Sequence, residues 1–382
     1  MESKKNVMVI FGTRPEAIKL APVLKELEKS TSMKPVSVAT AQHRGLMDQV
    51  LDFFNIQPDF DLNLMKPNQD LFYTMTECLN RIKDLIAEVQ PSLLVVQGDT
   101  TTAFTAALAA FYHKTPVAHV EAGLRTYYKY SPFPEEMNRR LISPLAELHF
   151  APTKAAKSNL LREGISENSI SVTGNTSIDA LLLGCTQKLH PPRNLILSEE
   201  APLIILTLHR RENFGAPLTE IFSAIKKFAI KYSHVQIVYP VHPNPNVKET
   251  AHSLLKNIPN ISLIEPVDYK EMLYLMKRSQ FILTDSGGIQ EEAPSLGKPV
   301  LVLRESTERA EAVEAGCAYL VGHHSELIFR MMETLLDKTS QFYLNMSSAK
   351  NPFGDGTASQ KIINRIEHFF RGVERNKLPW AA

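Results

Sequence analysis

The sequence is poor in cysteine: Cys78, Cys185 and Cys317 are the only three in 382 residues, far apart and without CxxC spacing. That excludes a disulfide framework and points to a reducing compartment, with the thiols expected as small buried hydrophobes. Long apolar runs are missing too. No stretch of eighteen consecutive apolar residues occurs, so no membrane-spanning helix is expected. The opening MESKKNVMVIFG turns apolar only briefly before Gly12, too short for a signal-peptide core with a cleavage site. A cytoplasmic location is the resulting expectation. Nor is there an excess of either charge: 42 Lys plus Arg against 41 Asp plus Glu leaves a net charge of +1. Bulk attraction to nucleic acid or an anionic membrane is thereby excluded, and any anionic ligand must be caught locally. Repeats and low-complexity tracts are absent. The neighbouring His323 and His324 need not converge, and no other ligands stand at metal spacing, so no metal site is expected.

What is present is an alternation of short apolar runs with amphipathic stretches, the pattern of buried parallel strands joined by helices. VMVIFG (7–12), PVSVAT (35–40), SLLVVQGD (92–99), PVAHVEAG (116–123) and LHFAPT (148–153) are expected strands. Helical stretches at 15–29, 44–54, 72–89 and 101–113 lie between them. After SVTGN (171–175) and a helical piece near 177–188, the segment 189–202 is rich in proline and polar residues, as linkers are. A second series follows at 203–209, 235–242, 261–266, 280–287, 298–305 and 318–322. Two such series predict an α/β protein of two Rossmann-like parallel-sheet domains facing a cleft. The first is expected over 1–176, with a C-terminal helix of about 358–382 packing back on it, and the second over 177–357.

Unusual residues cluster at the carboxyl ends of these strands, where ligands of such folds bind. In GTRPEAIKLAP (12–22) Pro15 can open a helix, and Arg14 and Lys19 would flank its N-terminus, a natural place for phosphate. The ordinary alternative is a capped surface helix. In LTDSGGIQEEAPSLGKPV (283–300) the turn Ser286-Gly287-Gly288 would let backbone amides approach a pyrophosphate, with Glu291 or Glu292 one turn on to accept from a ribose. Asp99, Glu121, and Glu135 beside Glu136 each follow a strand or sit in a loop beyond one. Carboxylates crowded in a cleft acquire separated pKa values suited to acid and base roles; for Asp99, helix capping competes with that reading. His209 ends the first strand of the second series, where a histidine can donate to a leaving phosphate. His43 and His242 occupy equivalent strand ends.

Together, GTRPEAIKLAP, TAQHR, QGDTTT, HVEAGLRT, SPFPEEMNR, LTLHRREN, PVHPNPNV, TDSGGIQEEAPSLGKPVLVLRESTER and NPFGDGTAS run in order from residue 12 to 359. In this the chain resembles the non-hydrolysing UDP-N-acetylglucosamine 2-epimerase family, which has a two-lobed GT-B-type fold shared with nucleotide-sugar glycosyltransferases. The resemblance implies reversible interconversion of UDP-N-acetylglucosamine and UDP-N-acetylmannosamine, by elimination of UDP to 2-acetamidoglucal and re-addition. No nicotinamide or other cofactor is implied. It also implies an activated sugar for cell-surface polysaccharide synthesis and a homodimer.

By the same resemblance Asp99, Glu121 and Glu135 match the catalytic acids, with His209 assisting the leaving phosphate. Arg14, Lys19, Ser286, Gly287, Gly288, Glu292 and Arg309 match the UDP contacts. Gln42, His43, Arg210, Glu212 and His242 match a region where a second UDP-N-acetylglucosamine binds as an activator. The chain departs from the family at Tyr127 and Tyr128, where Gly-Asp is usual, at Ala310, where proline is, and at Gln69, where some members carry arginine. These changes bear on loop shape, activator affinity and sugar preference. A glycosyltransferase of the same fold, a hydrolysing epimerase and a nucleotide-sugar sensor are the rival readings.

Overall fold

Runs of aliphatic and β-branched residues with both faces covered become the strands of two parallel sheets. The computed structural model describes residues 4–40, 44–66 and 69–376. The chain divides into two compact units, one ending at Leu183 and resuming at Gly354, the other spanning Gly184–Phe353. The first holds β1 (Lys5–Phe11), β2 (Met33–Ala39), β3 (Phe60–Asp61), β4 (Leu93–Gln97), β5 (Val117–Val120), β6 (Leu148–Ala151) and β7 (Ile170–Val172). They pair in the order β3-β2-β1-β4-β5-β6-β7, all parallel. The second holds β8 (Leu203–Thr207), β9 (Gln236–Pro240), β10 (Ile261–Ile264), β11 (Phe281–Thr284), β12 (Val300–Val302) and β13 (Ala318–Leu320). Its order is β10-β9-β8-β11-β12-β13, again parallel.

This order decides where a ligand can go. In each sheet the direction of travel reverses once, between β1 and β4 in the first unit and between β8 and β11 in the second. At such a reversal the loops leaving the two strands turn to opposite faces and open a crevice at the strands' carboxyl ends. The residues at those four ends are Gly12-Thr13-Arg14, Gly98-Asp99, Leu208-His209 and Asp285-Ser286. The motifs GTRPEAIKLAP, QGDTTT, LTLHRREN and TDSGGIQEEAPSLGKPVLVLRESTER therefore begin beside a switch point.

Helices close both faces of each sheet. The helix Arg14–Glu28 opens with Pro15 in its first turn, where a missing N–H costs no intrahelical bond, and buries Ala17, Leu20, Ala21, Val23, Leu24 and Leu27. The C-terminal helix Ala358–Asn376 packs against it. Ser30 donates to Glu367 at 3.1 Å, and the Lys5 ammonium stands 5.5 Å over the Phe370 ring. The start of that helix is capped by Asp179, whose carboxylate accepts from the Ser359 and Ala358 amides at 2.7 and 3.2 Å. In the second unit Phe222, Phe228, Tyr239 and Phe281 form the fully buried centre. The segment 189–202 has no regular structure, yet Arg278 Nη2 donates to the carbonyls of Ser198, Glu199 and Ala201 at 2.8, 2.5 and 3.1 Å.

Candidate active site

In the first unit the ends of β1, β4 and β5 carry a network of alternating charges. Lys19, one turn into the helix Arg14–Glu28, places Nζ 2.5 Å from Glu121 Oε2, and Gln97 Nε2 donates to the same oxygen. Glu121 is buried, with φ of 64°, a left-handed backbone that costs a residue with a Cβ about 1–2 kcal/mol. Strain of that kind collects where function requires it. The Asp99 Oδ2 lies 2.5 Å from Arg139 Nη2, and the Asp99 carbonyl accepts from Asn138 Nδ2 at 2.9 Å. Burial holds the Asp99 carboxyl above its ordinary range; Arg139 and Lys19 pull the other way, and the charge of Glu121 adds to the rise. Two carboxylates of the sequence motifs thus feel one another at the switch point.

The same corner contains His119 and Glu16, which lie within HVEAGLRT and GTRPEAIKLAP but carry no expected role there. His119 is fully buried with Nε2 2.7 Å from the Gly98 carbonyl. Burial drives its pKa down to about 3, so near neutral pH the ring is uncharged and Nε2 carries the proton it donates. Glu16 is 1 % exposed and accepts from the Gly12 and Thr13 amides at 3.0 and 2.8 Å and from the Thr100 hydroxyl at 2.6 Å. The Thr13-x-x-Glu16 spacing marks a helix start, but only the fold brings Thr100 to Glu16 and the Gly98 carbonyl to His119.

Glu135 opens the helix Glu135–Ile142, directly after a cis Phe133–Pro134 bond, and is half-buried. Among the described residues no hydrogen bond or ion pair joins it to Asp99 or Glu121. Its neighbour Glu136 is the structural member of the pair: fully buried, it accepts from the Thr126 and Tyr127 amides at 3.0 and 3.1 Å and lies 3.5 Å from Arg139. Tyr127 takes the left-handed φ of 61° and donates its hydroxyl to Asn159 at 2.9 Å. Arg14 begins the helix after β1 and is half-buried. Lys19, expected at a phosphate, is paired with Glu121 in this structure.

In the second unit the centre is Asp285, which the sequence reading passed over. Fully buried at the end of β11, it accepts from the His209 and Arg210 amides, the shortest contacts being 3.0 and 2.8 Å, and from Asn213 Nδ2 at 3.0 Å. Its Oδ1 also lies 3.0 Å from His209 Nδ1. Burial would raise the Asp285 carboxyl, but the His209 ring and the two amides outweigh it and hold the group below its usual range. A carboxylate on Nδ1 fixes the ring and leaves Nε2 for a ligand. His242 stacks on His209 at 6.0 Å between centroids with planes 28° apart. Burial and the His209 charge lower the pKa of His242.

The glycine turn is built around Arg309. A Cβ on Gly287 would meet the Arg309 guanidinium at 3.2–3.4 Å. Arg309 Nε donates to the buried Glu291 at 2.8 Å, so of the two acids after the turn Glu291 holds the arginine and Glu292 is the half-exposed one. Gln290 donates to the Ser286 carbonyl at 3.2 Å and accepts from Thr307 at 2.7 Å. Ser286 and Gly288 are open to solvent in part. Glu212 sits 2.5 Å from Arg304, which also clasps Glu308 at 2.7 Å and holds it down to about 2. Gln42 and His43 lie outside the described residues. No group of three or more His, Cys, Asp or Glu able to hold a metal occurs among the described residues.

Comparison with known proteins bears on the whole chain. A family model described as UDP-N-acetylglucosamine 2-epimerase matches residues 25–367. The UDP-N-acetylglucosamine 2-epimerase of Bacillus subtilis is 50 % identical over 365 residues, covering 95 % of this chain and 95 % of that protein. A crystal structure of the Neisseria meningitidis UDP-GlcNAc 2-epimerase bound to UDP-GlcNAc is similar at a TM-score of 0.84 and 46 % identity, covering 95 % of this chain and 100 % of that one. A co-structure of S. aureus MnaA with UDP is similar at a TM-score of 0.83 and 46 % identity, covering 96 % and 97 %.

Proposed function

The chain belongs to the UDP-N-acetylglucosamine 2-epimerase family, and from that premise we propose that it inverts C2 of UDP-N-acetylglucosamine by eliminating UDP and adding it back. The observation that carries the mechanism is the shared network of Asp99, Glu121, Lys19 and Arg139 at the switch point of the first sheet. The C2 proton has no neighbouring carbonyl to acidify it, so a free carbanion is out of reach. Coupling its removal to departure of UDP solves the difficulty. A carboxylate takes the proton, the C–H pair becomes the C1–C2 double bond of 2-acetamidoglucal, and the C1–O pair leaves with UDP. Return of a proton to the opposite face of C2, with attack of the UDP oxygen on C1, gives UDP-N-acetylmannosamine. An acid whose burial lifts its pKa, as for Asp99, exchanges protons at neutral pH more readily than an ordinary aspartate.

The second unit retains the leaving group. Arg309, set against Gly287, and the amides of Ser286, Gly287 and Gly288 are assigned to the diphosphate. His209, oriented by Asp285, is assigned to the departing phosphate oxygen, Glu292 to the ribose and Arg14 to the nucleotide diphosphate. Lys19 is assigned with Arg14 to the nucleotide diphosphate, held in place by its ion pair with Glu121. Asp99→Asn and His209→Asn are expected to fold and to lose at least about a hundredfold in kcat; near-parental turnover in both rejects the assignment. We also assign Arg210, Glu212 and His242, with Gln42 and His43, to an activating second UDP-N-acetylglucosamine. The stacking of His242 on His209 supports that reading, and a strictly hyperbolic rate dependence on substrate would contradict it. The product would supply an activated sugar for cell-surface polysaccharide.

A further inference from the structure

Glu16 stands at the third helical position after β1, where a glutamate commonly reaches back to close a helix start. One of its oxygens does so: Oε2 accepts from the Gly12 and Thr13 amides at 3.0 and 2.8 Å. The other has a partner no helix cap explains. Oε1 accepts at 2.6 Å from the hydroxyl of Thr100, 84 residues away at the end of β4 and immediately after Asp99. Thr100 Oγ1 in turn accepts from the Ala103 amide at 3.0 Å, starting the helix Thr101–Tyr112. One carboxylate, 1 % exposed, therefore ties together the two loops that flank the switch point.

The surroundings give it little freedom. A Cβ on Gly12 would come within 2.3 Å of Thr40 Oγ1 and 2.5 Å of Thr102 Oγ1, so the loop is packed against both threonines. The Asp99 turn is held on its other sides by His119 on the Gly98 carbonyl, Asn138 on the Asp99 carbonyl and Arg139 on the carboxylate. The Glu16–Thr100 bond joins the turn to the loop carrying Arg14. We propose that Glu16 is a positioning residue for Asp99, setting the turn through Thr100 so that the carboxyl meets C2 of the sugar. The inference rests on the role assigned to Asp99 above.

The test is steady-state kinetics on the full-length protein with Glu16→Ala, Glu16→Gln, Thr100→Val and Thr100→Ser, and with Asp99→Asn alongside. Each variant is first checked for native circular dichroism and a cooperative melt. Misplacing a reacting group by about 1 Å costs up to a hundredfold. Glu16→Ala and Thr100→Val are accordingly expected to lower kcat about ten- to a hundredfold while KM moves by less than about threefold. Glu16→Gln is expected to restore most of kcat, since its amide oxygen can accept from Gly12 and Thr13 and its amide nitrogen can donate to Thr100. Thr100→Ser is expected to keep it.

If Glu16→Ala does not fold, the threonine pair decides alone. Folded Glu16→Ala or Thr100→Val with near-parental kcat, or losses lying in KM instead, would overturn the proposal. If Asp99→Asn itself keeps turnover, the reading of Asp99 fails. If Asp99→Asn is inactive while the Glu16 and Thr100 variants are active, only the positioning role fails.

Discussion

A residue becomes legible in a sequence when its chemistry is unusual for its place. Asp99, Glu121 and His209 are polar residues following apolar runs, and each sits at a strand end in the structure. Glu16, Arg139 and His119 gave no such signal, because their roles depend on partners distant in sequence; Asp285 does follow an apolar run, but its partners His209 and Asn213 are equally distant. Asp285 lies 76 residues from His209, and Arg139 lies 40 from Asp99. Lys19 shows how a motif residue gains a distant partner: its place near a helix start points to phosphate, and the carboxylate just after β5 also pairs with it. The glycine turn yields a prediction at this scale. Gly287→Ala puts a methyl against the Arg309 guanidinium at 3.2 Å. Displacing one such donor is worth about 1–3 kcal/mol of binding, so KM for UDP-N-acetylglucosamine should rise about five- to a hundredfold. An unchanged KM removes Arg309 from the diphosphate.

Strands and helices were readable where their apolar pattern was long enough to show. The central strands β1, β4, β8 and β11 are continuous apolar runs. The edge strand β3 is two residues long and carries no periodicity to detect. Register and order came only with the structure, and order is what sets the site at the reversals β1/β4 and β8/β11. The C-terminal helix was expected to return to the first sheet, and its anchor is the Asp179 carboxylate on the Ser359 and Ala358 amides. Removing a cap of this kind costs about 1–2 kcal/mol. Asp179→Ala should therefore lower the thermal midpoint by several degrees; a midpoint equal to the parent's would show that the helix is held by its apolar face alone.

At the scale of the molecule, balanced charge leaves any anionic ligand to be held by local groups, and among the described residues no helix is long and apolar enough to cross a membrane. Burying the histidines His119 and His149 has a consequence for stability. His119 has an ordinary value of 6.5 and a folded value of about 3. Between those values the unfolded chain binds a proton that the folded chain refuses, so stability is full above the higher value and falls as pH drops below it. The slope reaches about 1.4 kcal/mol per pH unit for one such group, and His149, also shifted down by burial, acts in the same direction. Denaturant midpoints taken from about pH 6.5 to pH 5 should fall, and His119→Gln should flatten the fall. A slope unchanged in that variant would contradict the neutral, buried ring.

The central claim, that C2 inverts through departure and return of UDP, is tested by following UDP-N-acetylglucosamine with the enzyme in deuterated water by proton and phosphorus NMR. The account predicts UDP-N-acetylmannosamine carrying deuterium at C2, with no stoichiometric build-up of free UDP. An epimer that keeps its original proton at C2, or free UDP accumulating in step with free sugar, would contradict it.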